Sequence, residues 1–421
     1  MTASRMGVVG LCLLGGLWGC GSPASKSASP AATQSSAPAG GAGSVAAFSG
    51  SRSCRPCHQA VYDRWEKTLM ARVVQDPKAH PEAILGDFKT PNPLVTFRPE
   101  DVAFTYGTKW KQRYWKKQGN DYYVLPAQWD VQNKVWRPYH VQPNTDWWVA
   151  HYPEAQEERP TGPLCDGCHS VNYDVKTHSV TEWNVGCERC HGAGAAHAAR
   201  PSRGNIVNPA RLDHVRANDV CIQCHSQGRP KANPIEGQYY DWAVGYQPGD
   251  RLNATWALEE HTLGATTFTH WPDGSAHKNR MQGNEYVASR MYAKGVRCAA
   301  CHDSHGSSHE GLLRFPGNEM CLQCHAPRQQ AGPGVTPEAH SHHSAGSPGN
   351  QCAACHMPRN ASTIATVNVR SHAFGFVSPA MTDKYGIPNP CTSCHKDKST
   401  RWALDALESW ADVSPWRMTP R

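Results

Sequence analysis

Little of this chain is apolar for its length. Hydrophobic residues make up 39% of 421 and the mean hydropathy is −0.61, which is thin for a chain long enough to build two or three domains on side-chain cores alone. Long apolar runs are missing as well. The apolar segment Gly7 to Trp18 is too short to span a bilayer, and no later run reaches the ~18 residues of a membrane helix. Charge of one sign is in small excess, +7, which implies no nucleic-acid partner. Spare cysteine is lacking too. Of 18 cysteines only Cys12 and Cys20 fall outside one repeated pattern, which argues against a general disulfide framework.

That pattern is Cys-x-x-Cys-His, and it occurs eight times. The thiols are Cys54 and Cys57, Cys165 and Cys168, Cys187 and Cys190, Cys221 and Cys224, Cys298 and Cys301, Cys321 and Cys324, Cys352 and Cys355, and Cys391 and Cys394. The closing histidines are His58, His169, His191, His225, His302, His325, His356 and His395. Two thiols three positions apart on a helical turn can form thioethers to the two vinyl groups of one haem, and the next residue then lies under the iron as its proximal ligand. Structural zinc also uses Cys-x-x-Cys pairs but places no demand on the residue after the second cysteine. With 23 histidines in 421 residues, chance would put one there about once in twenty, not eight times in eight. The pattern predicts eight covalently bound haem c groups.

This resolves the shortage of apolar residues. Each macrocycle is a large apolar plate that supplies core without appearing in the composition. With about 50 residues per motif from Cys20 onward, the expected fold is a multihaem cytochrome c: mainly short α-helices and loops around a haem stack, with a small antiparallel β insertion. Sixteen propionates would take the formal charge from +7 to −9 if all ionise, so the surplus Lys and Arg are read as propionate partners and solvated surface.

The N-terminus reads as an export signal over residues 1–19: Arg5, the apolar segment, then small residues. Leu17-Trp18-Gly19-Cys20 resembles a lipobox, which would make Cys20 a lipid anchor, although Trp18 departs from the small residue usual there. Residues 20–50 are rich in Ala, Ser, Gly and Pro and read as a flexible tether. The expected address is the periplasm or cell surface, anchored to the outer membrane by the lipid alone, with envelope redox proteins as partners.

Residues 51–421 form the expected haem domain. A helical run is predicted from Cys54 to Val74, with Val61, Trp65, Leu69 and Val73 at four-residue spacing. From Val102 to Val141 the signal becomes that of strands. Lys109, Lys111, Arg113 and Lys117 share one parity, Trp110, Tyr114 and Tyr122 support an aromatic face, and turns are marked by Gly119-Asn120 and Gln132-Asn133. Motifs two to four (165–225) and five to seven (298–356) have similar spacing, which suggests a duplicated three-haem module. Ser226 to Lys294 reads as loop with one short helix. After the last motif, in 391–411, Ser399 to Ala411 reads as a capped terminal helix.

Fifteen histidines remain for the second axial positions. His197 follows Cys-His-Gly-Ala-Gly, where the glycines let the chain turn close to a porphyrin, and His305 follows motif five in the same way. His343 and His372 lie near other motifs, and His140, His151 and His178 are further candidates. Met70 is the thioether candidate, on the helix of the first motif.

The stretches CRPCHQAVYDRWEKTLM, CDGCHSVNYDV, TEWNVGCERCHGAGAAH, CHDSHG, LLRFPGNEMCLQCH, GSPGNQCAACHMPR, VRSHAF and IPNPCTSCHKDKSTRWA resemble bacterial multihaem cytochromes c with doubled CxxCH motifs, related to the tetrahaem cytochromes of nitrification. The resemblance covers roughly Ser53 to Trp410. It implies haem-mediated electron transfer in the cell envelope, with His197, His305, His343 and His372 at positions that look like distal ligands. Many relatives continue into tetratricopeptide repeats, which are absent here, and others have His where Met70 stands. The leading expectation is an electron relay rather than chemistry on a substrate. Two alternatives stay open: an octahaem oxidoreductase acting on nitrite or hydroxylamine at one five-coordinate haem, and a subunit of a haem filament or fixed reductase complex. The Lys that replaces the proximal His in many such nitrite reductases is absent from all eight motifs.

Overall fold

The computed structural model describes residues 47–139, 159–325 and 336–410. Cys20, His140 and His151, with the expected signal and nearly all of the tether, lie outside the described residues.

Short helices carry the motifs. The first sits in α1 (Arg55–Trp65) and the third in Glu188–His191; the fourth begins within His214–Ile222, and the seventh and eighth lie in Cys352–His356 and Pro390–Cys394. A helical turn is what brings two thiols three residues apart onto one face. Two of these helices begin at a side-chain cap. Asp213 accepts from the Arg216 amide and Asn389 from that of Thr392, each at 3.0 Å.

α1 stops well before Val74. Its last turn is closed by the Thr68 hydroxyl, which donates to the Trp65 carbonyl at 2.7 Å, and the Trp65 indole donates to the Val185 carbonyl. The chain then makes a single 3-10 turn at Met70–Arg72 and enters a strand, β1 (Val74–Gln75), opposite Tyr106 and Thr105. The four-residue spacing beyond Trp65 is therefore overruled by sheet pairing.

The β insertion is a six-stranded antiparallel sheet. It comprises β1, β2 (Phe104–Tyr106), β3 (Lys111–Gln118), β4 (Asp121–Val124), β5 (Ala127–Asp130) and β6 (Val135–Pro138). β3 pairs with β2 and is long enough to serve two further partners. Its far half pairs with β4 and its near half with β5, in the register Gln118↔Asp121 and Lys111↔Asp130. The turn falls at Gly119-Asn120 as expected, with Gly119 at φ +62, where a side chain would be strained.

Both faces of this sheet are aromatic, not one. Tyr114 packs with Phe97, Trp129 and Trp136 on one side, whereas Trp115 turns to the other, against Val74 and Cys165 of the second motif. Tyr114 and Trp115 are fully buried. The sheet is thus a lid on the second motif as well as an insertion. Gln112, also fully buried, is satisfied throughout: it donates to the Ala83 and Gly107 carbonyls and accepts from the Leu85 amide and the Tyr114 hydroxyl.

The stretch expected to be loop, Ser226 to Lys294, forms core. Ala243, Tyr246, Leu252 and Trp256 pack on Ile222, and Tyr240 and Trp242 pack on Cys168. It also holds an antiparallel pair, Gly228–Pro230 with Trp256–Leu258, and two helices, Gln282–Val287 and Arg290–Ala293. Its apolar residues have no period, so no pattern marked them. The terminal helix runs Thr400–Glu408, capped by Ser399, with Ala403 and Leu407 buried. Among the described residues no helix is long and apolar enough to cross a membrane.

Candidate haem-binding site

Five of the eight motif histidines face a second imidazole. Ring centres lie 6.4 Å apart for His58 and His197, 6.1 Å for His191 and His305, and 6.4 Å for His302 and His372. They lie 6.2 Å apart for His356 and His340, and 6.3 Å for His395 and His343. Such rings are too far apart to touch. Two metal–nitrogen bonds of about 2 Å each, with the ring radii added, account for the spacing. The first four pairs are near parallel, at 12–25°, and the last is tilted at 37°.

The other ring nitrogen is engaged as metal ligation requires. Nδ1 of His191 donates to the Val207 carbonyl at 2.8 Å, that of His302 to Gly311 at 2.7 Å, and that of His343 to Ser341. His197 Nδ1 meets the Asn205 side-chain oxygen at 3.0 Å. Each such bond leaves Nε2 with its lone pair toward the opposing ring. Buried cationic atoms complete the fit: Nε and Nη2 of Arg189 and Nε of Arg280 make no hydrogen bond to protein, which suits them to haem propionates. The residues present fit a haem at each of these positions.

The motifs also touch one another. Thiol contacts join Cys54 to Cys187, Cys168 to Cys224, Cys221 to Cys298 and Cys321 to Cys352. Cys190 lies near Cys221, Cys301 near Cys321, and Cys391 and Cys394 near Cys355. The motifs therefore run in space as first, third, fourth, fifth, sixth, seventh and eighth, with the second attached to the fourth.

The second motif is different in kind. Cys165 and Cys168 are buried, and the turn between them is closed by Trp242, whose indole donates to the Gly162 carbonyl at 2.9 Å. Where the paired histidines face an imidazole, His169 faces a phenol: the Tyr106 hydroxyl lies 2.6 Å from its Nε2. Burial first, then the charges of Arg280, His225, Arg189 and Arg113, press the His169 imidazole down to about 3, so it is held neutral. Burial also raises the Tyr106 phenol. Lys111 reaches the Thr363 carbonyl at 2.8 Å and is pressed well below the usual lysine range by burial, then by Arg113 and Lys278. Arg280 pairs with Asp241 at 3.1 Å, and burial nonetheless lifts the Asp241 carboxyl to about 6. Three guanidinium groups, of Arg280, Arg189 and Arg113, thus bear on His169, while the carboxyls of Asp166 and Asp241 lie near Cys165.

Of the expected distal residues, His197, His305, His343 and His372 are brought opposite motif histidines. Met70 is not: His58, which it was expected to face, meets His197, because the helix ends before Met70 and the chain turns into the sheet. His178 is also elsewhere, its Nδ1 2.7 Å from Asp121 and its ring stacked on Tyr173. Among the described residues no imidazole faces the rings of His225 or His325. Two partners went unrecognised. His340 stands in the cluster His340-Ser341-His342-His343, where the density of imidazole was the available signal. Tyr106 lies 63 residues from His169 and had none.

Two family patterns match parts of the chain. The family pattern described as a doubled CXXCH motif matches residues 291–330, and that of cytochrome c554 and c-prime matches residues 130–192. The chain is a multihaem c-type cytochrome. The cytochrome is 22% identical to the dissimilatory sulfite reductase MccA of Wolinella succinogenes, over 74% of this chain and 50% of that protein. It thus spans about half the length of this curated relative. Its fold is similar to that of the outer cell wall cytochrome OcwA, with TM-score 0.68, 23% identity and 86% of each chain covered. An undecahaem cytochrome from the S-layer of Carboxydothermus ferrireducens aligns with TM-score 0.49 and 17% identity, over 86% of this chain and 60% of that one.

Proposed function

We propose that this cytochrome carries eight haems and relays electrons between redox partners of the bacterial cell envelope. The observation that carries the reading is the set of five imidazole pairs at 6.1–6.4 Å. A haem iron held between two imidazoles supplies a one-electron couple and has no free position for a substrate. The chain contributes rigidity: Nδ1 bonds fix ring orientation, so little rearrangement accompanies a change of charge. Contacts between neighbouring motifs keep successive centres close. Export, lipid attachment at Cys20 and a tether to about residue 50 belong to the same proposal and are supported by the N-terminal sequence. Low-temperature electron paramagnetic resonance of the oxidised, haem-loaded protein tests it. Low-spin signals from at least five centres are expected, and a spectrum dominated by high-spin iron would refute the relay.

A second reading is favoured by the second motif: an oxidoreductase reducing a small oxyanion such as nitrite or sulfite there. The phenol in place of an imidazole, the three guanidinium groups that bear on His169 and the likeness to a protein named a sulfite reductase all support it. Arg280 would supply charge to the anion, and the Tyr106 hydroxyl and Lys111 would orient it by hydrogen bonds. Replacing Tyr106 by phenylalanine separates the readings. If the second holds, added nitrite or sulfite perturbs the visible spectrum of the wild type, and Tyr106→Phe weakens that response by roughly tenfold or more, the loss of about one charge-assisted hydrogen bond. Identical, silent spectra in both proteins favour the relay alone.

A further inference from the structure

An imidazole opposed to another at 6.4 Å has to be held to within about 0.5 Å to ligate one metal. Two of the segments that present such rings have little structure of their own. His197 sits in a five-residue helix, Ala195–Ala199, and His372 in an irregular stretch after the hairpin strand Val367–Arg370. Short helices are weakly self-supporting. A buried glutamate reaches the backbone of each.

Glu188, 2% exposed, accepts from the amides of Ser49 at 3.0 Å, Gly50 at 2.8 Å and Gly194 at 2.6 Å. Gly194 is the residue just before the helix of His197, and a side chain there would press on the Glu188 carboxylate, its Cβ only 3.0 Å from Oε1. Gly50 opens the turn Ser51–Ser53 that leads into Cys54. One carboxylate thus fastens the approach to the first motif to the helix that carries the partner of His58. Glu285, 4% exposed in Gln282–Val287, accepts from the Ala276 amide at 2.8 Å, the Ser371 hydroxyl at 2.7 Å and the amide of His372 itself. Charge-assisted bonds to several donors are strong, and removing the acceptor leaves all of them unpaired.

We propose that Glu188 and Glu285 are positioning residues that hold His197 opposite His58 and His372 opposite His302. The inference rests on reading these pairs as axial ligands. It is tested on the full, haem-loaded chain with Glu188→Ala, Glu285→Ala and the ligand controls His197→Ala and His372→Ala. Each glutamate variant is expected to lose the low-spin signal of one centre and gain a high-spin ferric signal like that of its control, and added imidazole should restore the low-spin form in both. Glutamate variants with the unchanged wild-type low-spin spectrum would overturn the proposal. Should an alanine variant fail to accumulate, Glu188→Gln and Glu285→Gln keep the shape and half of the acceptors. A shifted low-spin signal from one centre is then expected, and an unshifted spectrum overturns the proposal. A wild-type spectrum lacking low-spin signals overturns the pairing and the inference with it, whereas silent variants beside an intact wild-type spectrum overturn the inference alone.

Discussion

Replacing Gly167 by alanine is expected to destabilise the folded protein by about 1–3 kcal/mol or more and to deplete haem at the second motif. An added Cβ would lie 1.9 Å from Cδ2 of Trp242 and 2.1 Å from its Cε2. Neither group can give way cheaply. Trp242 is 4% exposed, donates its indole hydrogen to Gly162 and packs with Tyr173 and Tyr240, while Gly167 lies between the two thiols that must stay on one helical turn. Forcing them apart opens the turn or expels the indole. Gly375→Ala is the control, because nothing lies within 4 Å of its Cβ and its φ is not positive. Urea unfolding followed by tryptophan fluorescence measures the difference; equal midpoints for the two variants would show that the Trp242 seal does not exist.

Removing both thiols of the eighth motif, Cys391→Ala with Cys394→Ala, is expected to cost one covalent haem in eight. The intact mass should fall by one haem beyond the change in the side chains, and haem absorbance per polypeptide should drop by about one-eighth. The loss should stay local. This motif lies at the end of the spatial series, with the seventh motif as its neighbour on one side and the helix Thr400–Glu408 on the other. The equivalent change at Cys165 and Cys168 should be far more damaging, since both are buried and Cys165 sits in the core with Val74 and Trp115. A wild-type mass showing any number of haems other than eight would refute the count, and an unchanged mass in the variant would refute the assignment of Cys391 and Cys394.

Local chemistry explains which features could be read in advance. Cys-x-x-Cys-His states its own function within five residues, because thioether formation and ligation need those side chains at that spacing whatever the fold around them. The Gly119-Asn120 turn and the Ser399 cap were legible for the same reason: each is decided by the backbone of three or four neighbouring residues. Histidines that follow a motif closely, as His197 and His305 do, were also within reach of local reasoning. His178 and Met70 show its limit. Both have suitable side chains near a motif in sequence, yet one is taken by Asp121 and the other is turned away when the chain joins the sheet.

Tertiary structure alone decided the rest. Four of the five imidazole pairs, the attachment of the second motif to the fourth, and the phenol at His169 all join residues far apart in the chain, and their energies depend on distance in space. Val74 left a helical pattern because Tyr106 offered it a strand partner, and the aperiodic aromatics of 240–256 became core because Cys168 and Ile222 were there to be covered. The amino-acid sequence by itself determined that this protein is a multihaem c-type cytochrome; which ring opposes which, and which motif stands apart, follows from packing that no short stretch of chain encodes.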